Sequence, residues 1–244
     1  MDQNILQEAL TLRNEEGRLY IYLKDVYEDE RVIETQLRNL ANRPDITFKS
    51  PVTEEHWHDY LYDPNSALAK KNPKEYEAAI REQVEVCRKV FTKPLCIISG
   101  AAGTGKTTVI KAIISAIVEA HGIGTSFQLL SSTGKAADRL REITGKNAST
   151  IHSFFAERGW LNDNFTFKRT SGKTEEGIKT YIIDEASMVD LSLAATLFRS
   201  INWASVQRLI LVGDPNQLPP TAEVNFSQIL LIGFSSKIPN QLEF

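Results

Sequence analysis

The sequence predicts an α/β fold in which a parallel sheet is flanked by helices. Four short apolar runs, at 95–98, 127–130, 181–183 and 209–212, carry the prediction, and helical stretches separate most of them. Such alternation is typical of a parallel sheet whose two faces are covered by crossover helices. A chain of 244 residues, 42% of them hydrophobic, is long enough to bury a core of this kind.

Helices are predicted around these runs from apolar residues at helical spacing and from capping residues. Asn72 followed by Pro73 is a typical helix start, because asparagine can cap the first turn and proline suits the first helical position. The predicted helices cover 73–90, 107–121, 135–144 and 191–201.

A domain boundary is expected near residue 70, because the helix after Asn72 leads directly into the first apolar run. Residues 1–70, with a strand at 17–23 and a helix at 29–40, are predicted to form a small N-terminal α+β accessory domain. The main domain would cover 71–244.

Composition and charge exclude several classes of protein. The balance of residues is ordinary for a globular chain, and no apolar run approaches the roughly 18 residues of a membrane span. Cys87 and Cys96 form neither a disulfide framework nor a metal-ligand pattern. We therefore expect a cytoplasmic protein with no membrane partner.

A basic cluster within 130–173 stands out in a chain whose net charge is −3. Eight basic residues and four acidic ones lie there, which is a weak indication of a polyanionic partner, with a solvated surface as the alternative. The basic residues are Lys135, Arg139, Arg141, Lys146, Arg158, Lys168, Arg169 and Lys173.

A glycine-rich segment between the first apolar run and the next helix fits the pattern G-x-x-x-x-G-K-[ST]. Its glycines let successive backbone N–H groups surround a phosphate, and the following helix directs its positive end at the same anion. Lys106 would contact the β- and γ-phosphates, and the Thr107 hydroxyl would bind Mg²⁺. A purely structural glycine-rich turn is the alternative. The residues expected at the nucleotide are Gly100, Ala101, Ala102, Gly103, Thr104, Gly105, Lys106, Thr107 and Thr108.

Two acids, Asp184 and Glu185, end the third apolar run. Asp184 is expected to hold Mg²⁺, and Glu185 to polarise the attacking water as a general base. Acids in such a position are also common as charges at a helix N-terminus. The phosphate loop favours the functional interpretation.

Four further segments, at 131–137, 149–152, 184–188 and 213–220, follow in order along the chain. Together with the phosphate loop they resemble superfamily 1 DNA helicases of the RecD type, the 5′-to-3′ branch. The resemblance covers about 72–220 and implies a RecA-like P-loop NTPase domain that binds ATP and Mg²⁺.

The resemblance also implies roles for individual residues. Gln83 resembles the glutamine that reads adenine, although it could be a surface helix residue. Gln217 resembles the sensor of the γ-phosphate, with a plain polar loop residue as the alternative. The segments that contact single-stranded DNA in the family correspond to Thr133, Lys135, Thr150 and His152, and for His152 a capping or core role is equally plausible.

The family carries a small strand-separating hairpin between its last DNA-contact segment and the acids. Here 160–169, within an insertion at about 157–178, is predicted to form two short strands around an Asn/Asp turn. Period-two alternation would place Phe165 and Phe167 on one face, and Phe165 and Lys168 would contact DNA. Alternatively, the hairpin packs its aromatic side chains on the core.

The chain departs from the family in ending at residue 244, which leaves out the second RecA-like motor domain. It is either a fragment of a longer helicase or a truncated relative. The leading hypothesis is the ATP-binding half of an ATP-dependent DNA helicase, weakly active or inactive without its second domain. The alternatives are a stand-alone P-loop ATPase or nucleotide-dependent switch, and a non-catalytic binding module.

Overall fold

The computed structural model describes residues 9–15, 17–48, 51–101, 103–122, 125–214 and 241–243. Parallel strands form its central sheet, and the four apolar runs of the sequence lie in β3, β4, β6 and β7, as predicted. The strands of this sheet are β3 Leu95–Ser99, β4 Phe127–Ser131, β5 Ala148–Thr150, β6 Thr180–Asp184, β7 Arg208–Gly213 and β8 Gln241–Glu243. Their order across the sheet is β5-β4-β6-β7-β3-β8.

Helices cover both faces of the sheet, and each predicted helix is present with ends that differ by a few residues. The Asn72 side chain accepts a hydrogen bond from the backbone N–H of Glu75 and so caps the helix that begins at Pro73. The helices are α1 Lys24–Ala41, α2 Glu54–Leu61, α3 Ala67–Lys71, α4 Pro73–Thr92, α5 Lys106–His121, α6 Gly134–Thr144, α7 Ile151–Arg158 and α8 Leu191–Arg199.

Alternate residues of each central strand point to opposite faces of the sheet, where they form two separate cores. In β7, Leu209 and Leu211 pack on the face covered by α1, α7 and α8. Ile210 and Val212 pack on the face covered by α2, α4 and α5. The central strands are therefore apolar on both sides, which explains their continuous apolar runs.

The N-terminal region contains an antiparallel pair, β1 Leu10–Glu15 and β2 Arg18–Leu23, ahead of α1. α1 contributes Ile33, Leu37 and Leu40 to the core that α8 also covers. This region therefore shares its apolar core with the sheet. The division of the chain near residue 70 into two domains stays a prediction.

The parallel register brings the polar ends of neighbouring strands to one edge of the sheet. Ser131, at the end of β4, pairs with Asp184 of β6 and with Thr150 of β5. Ser99, at the end of β3, pairs with Gly213 of β7. Loops that follow these strands consequently lie side by side.

Within the described ranges, none of the helices has both the length and the apolar character that a membrane crossing needs.

Candidate nucleotide-binding site

The glycine-rich loop joins the end of β3 to the start of α5 at this edge. Gly103 and Gly105 both have a φ of 85°, a left-handed conformation that glycine adopts without strain. A Cβ on Gly105 would lie 2.4 Å from the side-chain nitrogen of Gln83, so a larger residue would also displace that glutamine. A glycine is thus required at 105, because its backbone is left-handed and because the Gln83 side chain lies so close to it.

Lys106 is the first residue of α5, and its ammonium group turns back over the loop. It donates hydrogen bonds to the carbonyl oxygens of Gly100, at 2.5 Å, and Ala101, at 2.8 Å. The hydroxyl of Thr104 donates to the same Ala101 carbonyl at 2.9 Å. These contacts hold the positive charge beside the loop and the helix N-terminus, where an anion is favoured.

Gln83 lies in α4, and its side chain reaches the loop. Its amide nitrogen donates to the carbonyl oxygen of Thr104 at 3.3 Å. The structure therefore brings Gln83 and the glycine-rich segment together although more than 15 residues separate them in the chain. Its role in reading adenine stays a prediction.

Asp184 ends β6 and is buried, with 8% of its surface exposed. Its carboxylate accepts a hydrogen bond from the backbone N–H of Glu185 at 2.9 Å. Burial raises the pKa of Asp184 to about 6, and the negative charge of Glu185 adds to the rise, while the backbone N–H, Lys106 and Arg139 oppose it. The site therefore holds a carboxylate at an energetic cost that a bound cation would offset.

Glu185 has a φ of 54°, in the left-handed region that a non-glycine residue seldom adopts. Its Oε2 atom is buried and has no hydrogen-bond partner in the part of the chain that the structure describes. Strained backbone and unpaired polar atoms tend to occur at functional sites, because folding alone does not favour them. Both features fit a carboxylate that binds a water molecule or a metal ion.

One cavity of about 640 Å³ joins these elements. Lys106, Thr107, Asp184 and Glu185, which the sequence predicts at the nucleotide, all line it, and their roles stay predictions. α6 forms another wall with Thr133, Lys135 and Arg139. The sequence places Arg139 only in the basic cluster, and its spacing of four residues from Lys135 is the signal that could have placed it here.

The oxygen atoms in this cavity suit Mg²⁺, which prefers hard oxygen ligands and usually keeps several waters or phosphate oxygens. Thr107 supplies a hydroxyl, Asp184 a carboxylate, and Glu185 the buried carboxylate oxygen without a partner. The described residues contain no cluster of three or more His, Cys, Asp or Glu side chains that could hold a metal ion by themselves. A nucleotide-bound Mg²⁺ that needs only one or two protein ligands fits this arrangement.

The residues expected at DNA follow β4 and β5. Thr133 accepts the backbone N–H of Ala136 and caps α6, and Thr150 accepts the N–H of Ser153 and caps α7. Lys135 and His152 are exposed in the first turns of these helices. His152 is thus neither a core residue nor the cap of α7. Two positive helix ends and two basic side chains consequently lie along the sheet edge.

The predicted hairpin is present but shorter than expected, with Leu161 bridged to Phe167 in antiparallel fashion. The expectation that Phe165 and Phe167 share one face is wrong. Phe165 lies in the turn with a φ of 62° and is 80% exposed, because its N–H bonds to the Asn162 carbonyl and the strand has not yet begun. Phe167 instead packs its ring 5.6 Å from that of Phe155, which partly supports the core-packing alternative. Lys168 is half-buried and donates to the carbonyl of Gly159 at 2.9 Å.

Two expected site residues, Ala102 and Gln217, lie outside the described residues. The beginning of the Gln217 segment is described. There the backbone N–H of Asp214 donates to the Ser187 hydroxyl at 3.5 Å. This contact brings the segment that starts at Gly213 next to the segment that contains the two acids.

Fold and site together define a P-loop nucleotide-binding domain of the α/β class. The chain belongs to the family described as AAA domain, whose model matches residues 83–223. That match covers the glycine-rich loop, both acids and the Gly213 segment.

The chain is similar to several curated proteins over most of its own length. It is 32% identical to an uncharacterised protein of Methanocaldococcus jannaschii, covering 88% of this chain and 19% of that protein. It is 30% identical to the ATP-dependent RecD2 DNA helicase of Deinococcus radiodurans, covering 90% and 27%. It is 28% identical to the RecD subunit of the RecBCD enzyme of Haemophilus influenzae, covering 83% and 32%. The chain thus spans about a fifth to a third of these relatives.

Among solved structures, the chain is similar to the Pif1 helicase from Candida albicans, with 28% identity and a TM-score of 0.45 over 66% of this chain and 38% of that one. A second similar structure contains Pif1 helicases at forked double-stranded DNA, with 23% identity and a TM-score of 0.42 over 63% and 37%.

Proposed function

We propose that this chain is the ATP-binding half of an ATP-dependent DNA helicase, which couples ATP hydrolysis to translocation along single-stranded DNA and to unwinding. The observation that carries the proposal is the shared cavity, in which the phosphate loop, the acid pair and the start of α6 meet. The similarity to RecD-type helicases supports the choice of DNA as the second ligand.

In this proposal the nucleotide binds at Gly100–Thr108. Lys106 leaves the loop carbonyls to contact the β- and γ-phosphates, and Gln83 lies near adenine. Thr107 and Asp184 hold Mg²⁺, which neutralises charge on the phosphate oxygens when it is bound. Glu185 accepts a proton from the attacking water, and Gln217 senses the γ-phosphate.

Single-stranded DNA would lie across the starts of α6 and α7. Thr133, Lys135, Thr150 and His152 contact its backbone there, and helix N-termini favour the phosphates. The exposed ring of Phe165 offers a stacking surface for a base, and Lys168 adds a positive charge near the hairpin. Few phosphate contacts lie on one domain, so the affinity is weak and depends on salt.

In this proposal a second RecA-like domain completes the motor, and residues 1–70 serve as an accessory region. Cys87 and Cys96 are buried free thiols, which fits the reducing environment of the cytoplasm.

The test is fluorescence anisotropy of a labelled oligothymidylate titrated with this chain, with and without a non-hydrolysable ATP analogue and Mg²⁺. We expect weak binding that falls as salt increases, and an affinity that the nucleotide changes, because both ligands contact α6 or its neighbours. Lys106→Ala is the matched control, since it should retain DNA binding and lose the nucleotide effect.

Absence of DNA binding at low salt, in a chain that still binds the analogue, would contradict the proposal and favour a stand-alone ATPase. DNA binding that the analogue leaves unchanged would contradict the coupling on which a helicase depends.

A further inference from the structure

Arg139 lies on the face of α6 that forms a wall of the nucleotide cavity. Lys135, Arg139 and Ile143 all line the cavity, and their spacing of four residues places them on one side of the helix. The cavity is therefore lined by a guanidinium group in addition to the ammonium groups of Lys106 and Lys135.

Arg139 has neither an ion pair nor a hydrogen bond to any side chain or carbonyl that the structure describes. Arg141, two positions further along α6, instead pairs with Asp138 at 2.6 Å outside the cavity. An exposed cation that pairs with none of the described residues, and that lies beside a phosphate loop, is available to an anionic ligand. Three cations and two carboxylates line the cavity, a balance that suits a polyphosphate carrying a divalent metal.

The position of Arg139 relative to the acids indicates which phosphate it would meet. Arg139 lines the same cavity as Asp184 and Glu185, the acid pair at the end of β6. In P-loop enzymes the metal ion held by such an acid contacts oxygens of both the β- and the γ-phosphate. A terminal phosphate bound beside these acids would share the cavity with Arg139.

We propose that Arg139 is a further nucleotide-binding residue, which contacts the terminal phosphate of ATP from α6. This inference rests on the proposed nucleotide site. A guanidinium suits the role because its planar fork can donate two parallel hydrogen bonds to phosphate oxygens. ADP lacks the terminal phosphate, so Arg139 distinguishes ATP from ADP. Since Thr133 caps α6 and Lys135 lies in its first turn, one helix would join this phosphate to the DNA candidates.

The experiment is calorimetric titration of the chain with Mg²⁺-ADP and with the Mg²⁺ complex of the β,γ-imido analogue of ATP. Arg139→Ala should weaken binding of the triphosphate analogue about tenfold or more and leave ADP binding unchanged. Arg141→Ala is the matched control and should change neither affinity. Lys106→Ala should weaken both, because it removes a contact to phosphates that ADP also carries.

The outcomes separate this inference from the proposed function. If Arg139→Ala changes the affinity for both nucleotides equally, or for neither, Arg139 does not contact the terminal phosphate. The nucleotide site is still supported in that case, provided that Lys106→Ala weakens binding of both nucleotides. A Lys106→Ala variant that binds both nucleotides normally would overturn the nucleotide site itself. Loss of oligothymidylate binding in Arg139→Ala, with both nucleotide affinities unchanged, would assign Arg139 to DNA instead.

Discussion

The carboxylate of Asp29, in α1, accepts a hydrogen bond from the guanidinium of Arg199, at the end of α8, at 2.5 Å. A second guanidinium, that of Arg169 beside the hairpin, donates to the same oxygen at 3.0 Å. The Asp29 side chain is 9% exposed and that of Arg199 15%, so this ion pair is largely shielded from water. One N-terminal carboxylate thus joins α1, α8 and the hairpin segment.

Replacing Asp29 by Ala should destabilise the protein, because it leaves Arg199 buried without its partner. Removing one member of a buried pair costs roughly 3–5 kcal/mol, and since Arg169 is partly exposed we expect about 2–4 kcal/mol. Urea unfolding followed by tryptophan fluorescence measures the difference. Glu28→Ala is the control, because Glu28 meets Arg169 at an exposed position and should cost little. Similar stabilities for the two variants would contradict a structural role for Asp29.

Asp184→Asn should stabilise the protein at neutral pH when neither nucleotide nor Mg²⁺ is present. Burial raises the pKa of Asp184 to about 6 from an ordinary value of 3.8, so the folded chain binds this proton more tightly than the unfolded chain. Stability is therefore lost as pH rises from about 4 to 6, and asparagine avoids this loss. The gain at pH 8 is up to about 3 kcal/mol, since each pKa unit corresponds to about 1.4 kcal/mol.

Thermal melting of the wild type and Asp184→Asn at several values between pH 4 and pH 8 measures this gain. We expect the two melting curves to approach each other at pH 4 and to separate at pH 8. A variant that is less stable than the wild type at pH 8 would mean that Asp184 is not held at an energetic cost.

Reversing the charges of Lys135 and Lys168 should weaken binding to single-stranded DNA. Each lysine that contacts a phosphate contributes about one to the slope of log affinity against log salt, so both the affinity and the slope should fall. Anisotropy titrations over a range of salt concentrations measure both quantities. Arg141→Glu is the control, because Arg141 is already paired with Asp138. If the lysine variants match that control, the DNA track lies elsewhere.

The chain by itself should bind ATP but hydrolyse it slowly and fail to unwind duplexes. An arginine supplied by a partner domain is worth roughly 10³–10⁵ in rate in related enzymes, and translocation requires two domains that open and close. Phosphate release should therefore be slow here, and stimulated by DNA only in a longer polypeptide in which a second motor domain follows. Equal DNA-stimulated turnover by both would indicate a self-sufficient ATPase.

Local signals in the sequence were sufficient for the sheet, its flanking helices and the position of the glycine-rich loop between β3 and α5. The apolar runs of β3, β6 and β7 are almost entirely buried, and Leu129 and Leu130 of β4 are buried as well. Runs of this kind can be recognised as core strands without further information. The capping of α4 by Asn72 is likewise a contact within one turn. Such features follow from a few adjacent residues, and they are confirmed.

Features that depend on one particular turn or on neighbouring helices could not be predicted from the sequence. Period-two alternation assumed that Phe165 lies in a strand, but the Asn164 side chain accepts the Thr166 N–H and keeps Phe165 in the turn. Helical spacing places Arg139 on the same side of α6 as Lys135. It does not show what that side of α6 packs against. Its place in the cavity emerges only once α6 packs beside α5 and β4.

Calorimetric titration of a Mg²⁺-ATP analogue into Lys106→Ala shows whether the phosphate loop binds ATP through Lys106. Lys111→Ala, which changes an exposed lysine of the same helix, is the matched control. We expect Lys106→Ala to lose about 10- to 150-fold in affinity, since a charge-assisted hydrogen bond contributes roughly 1.5–3 kcal/mol, and Lys111→Ala to bind like the wild type. Equal affinities for Lys106→Ala and the wild type would contradict the binding of ATP through Lys106.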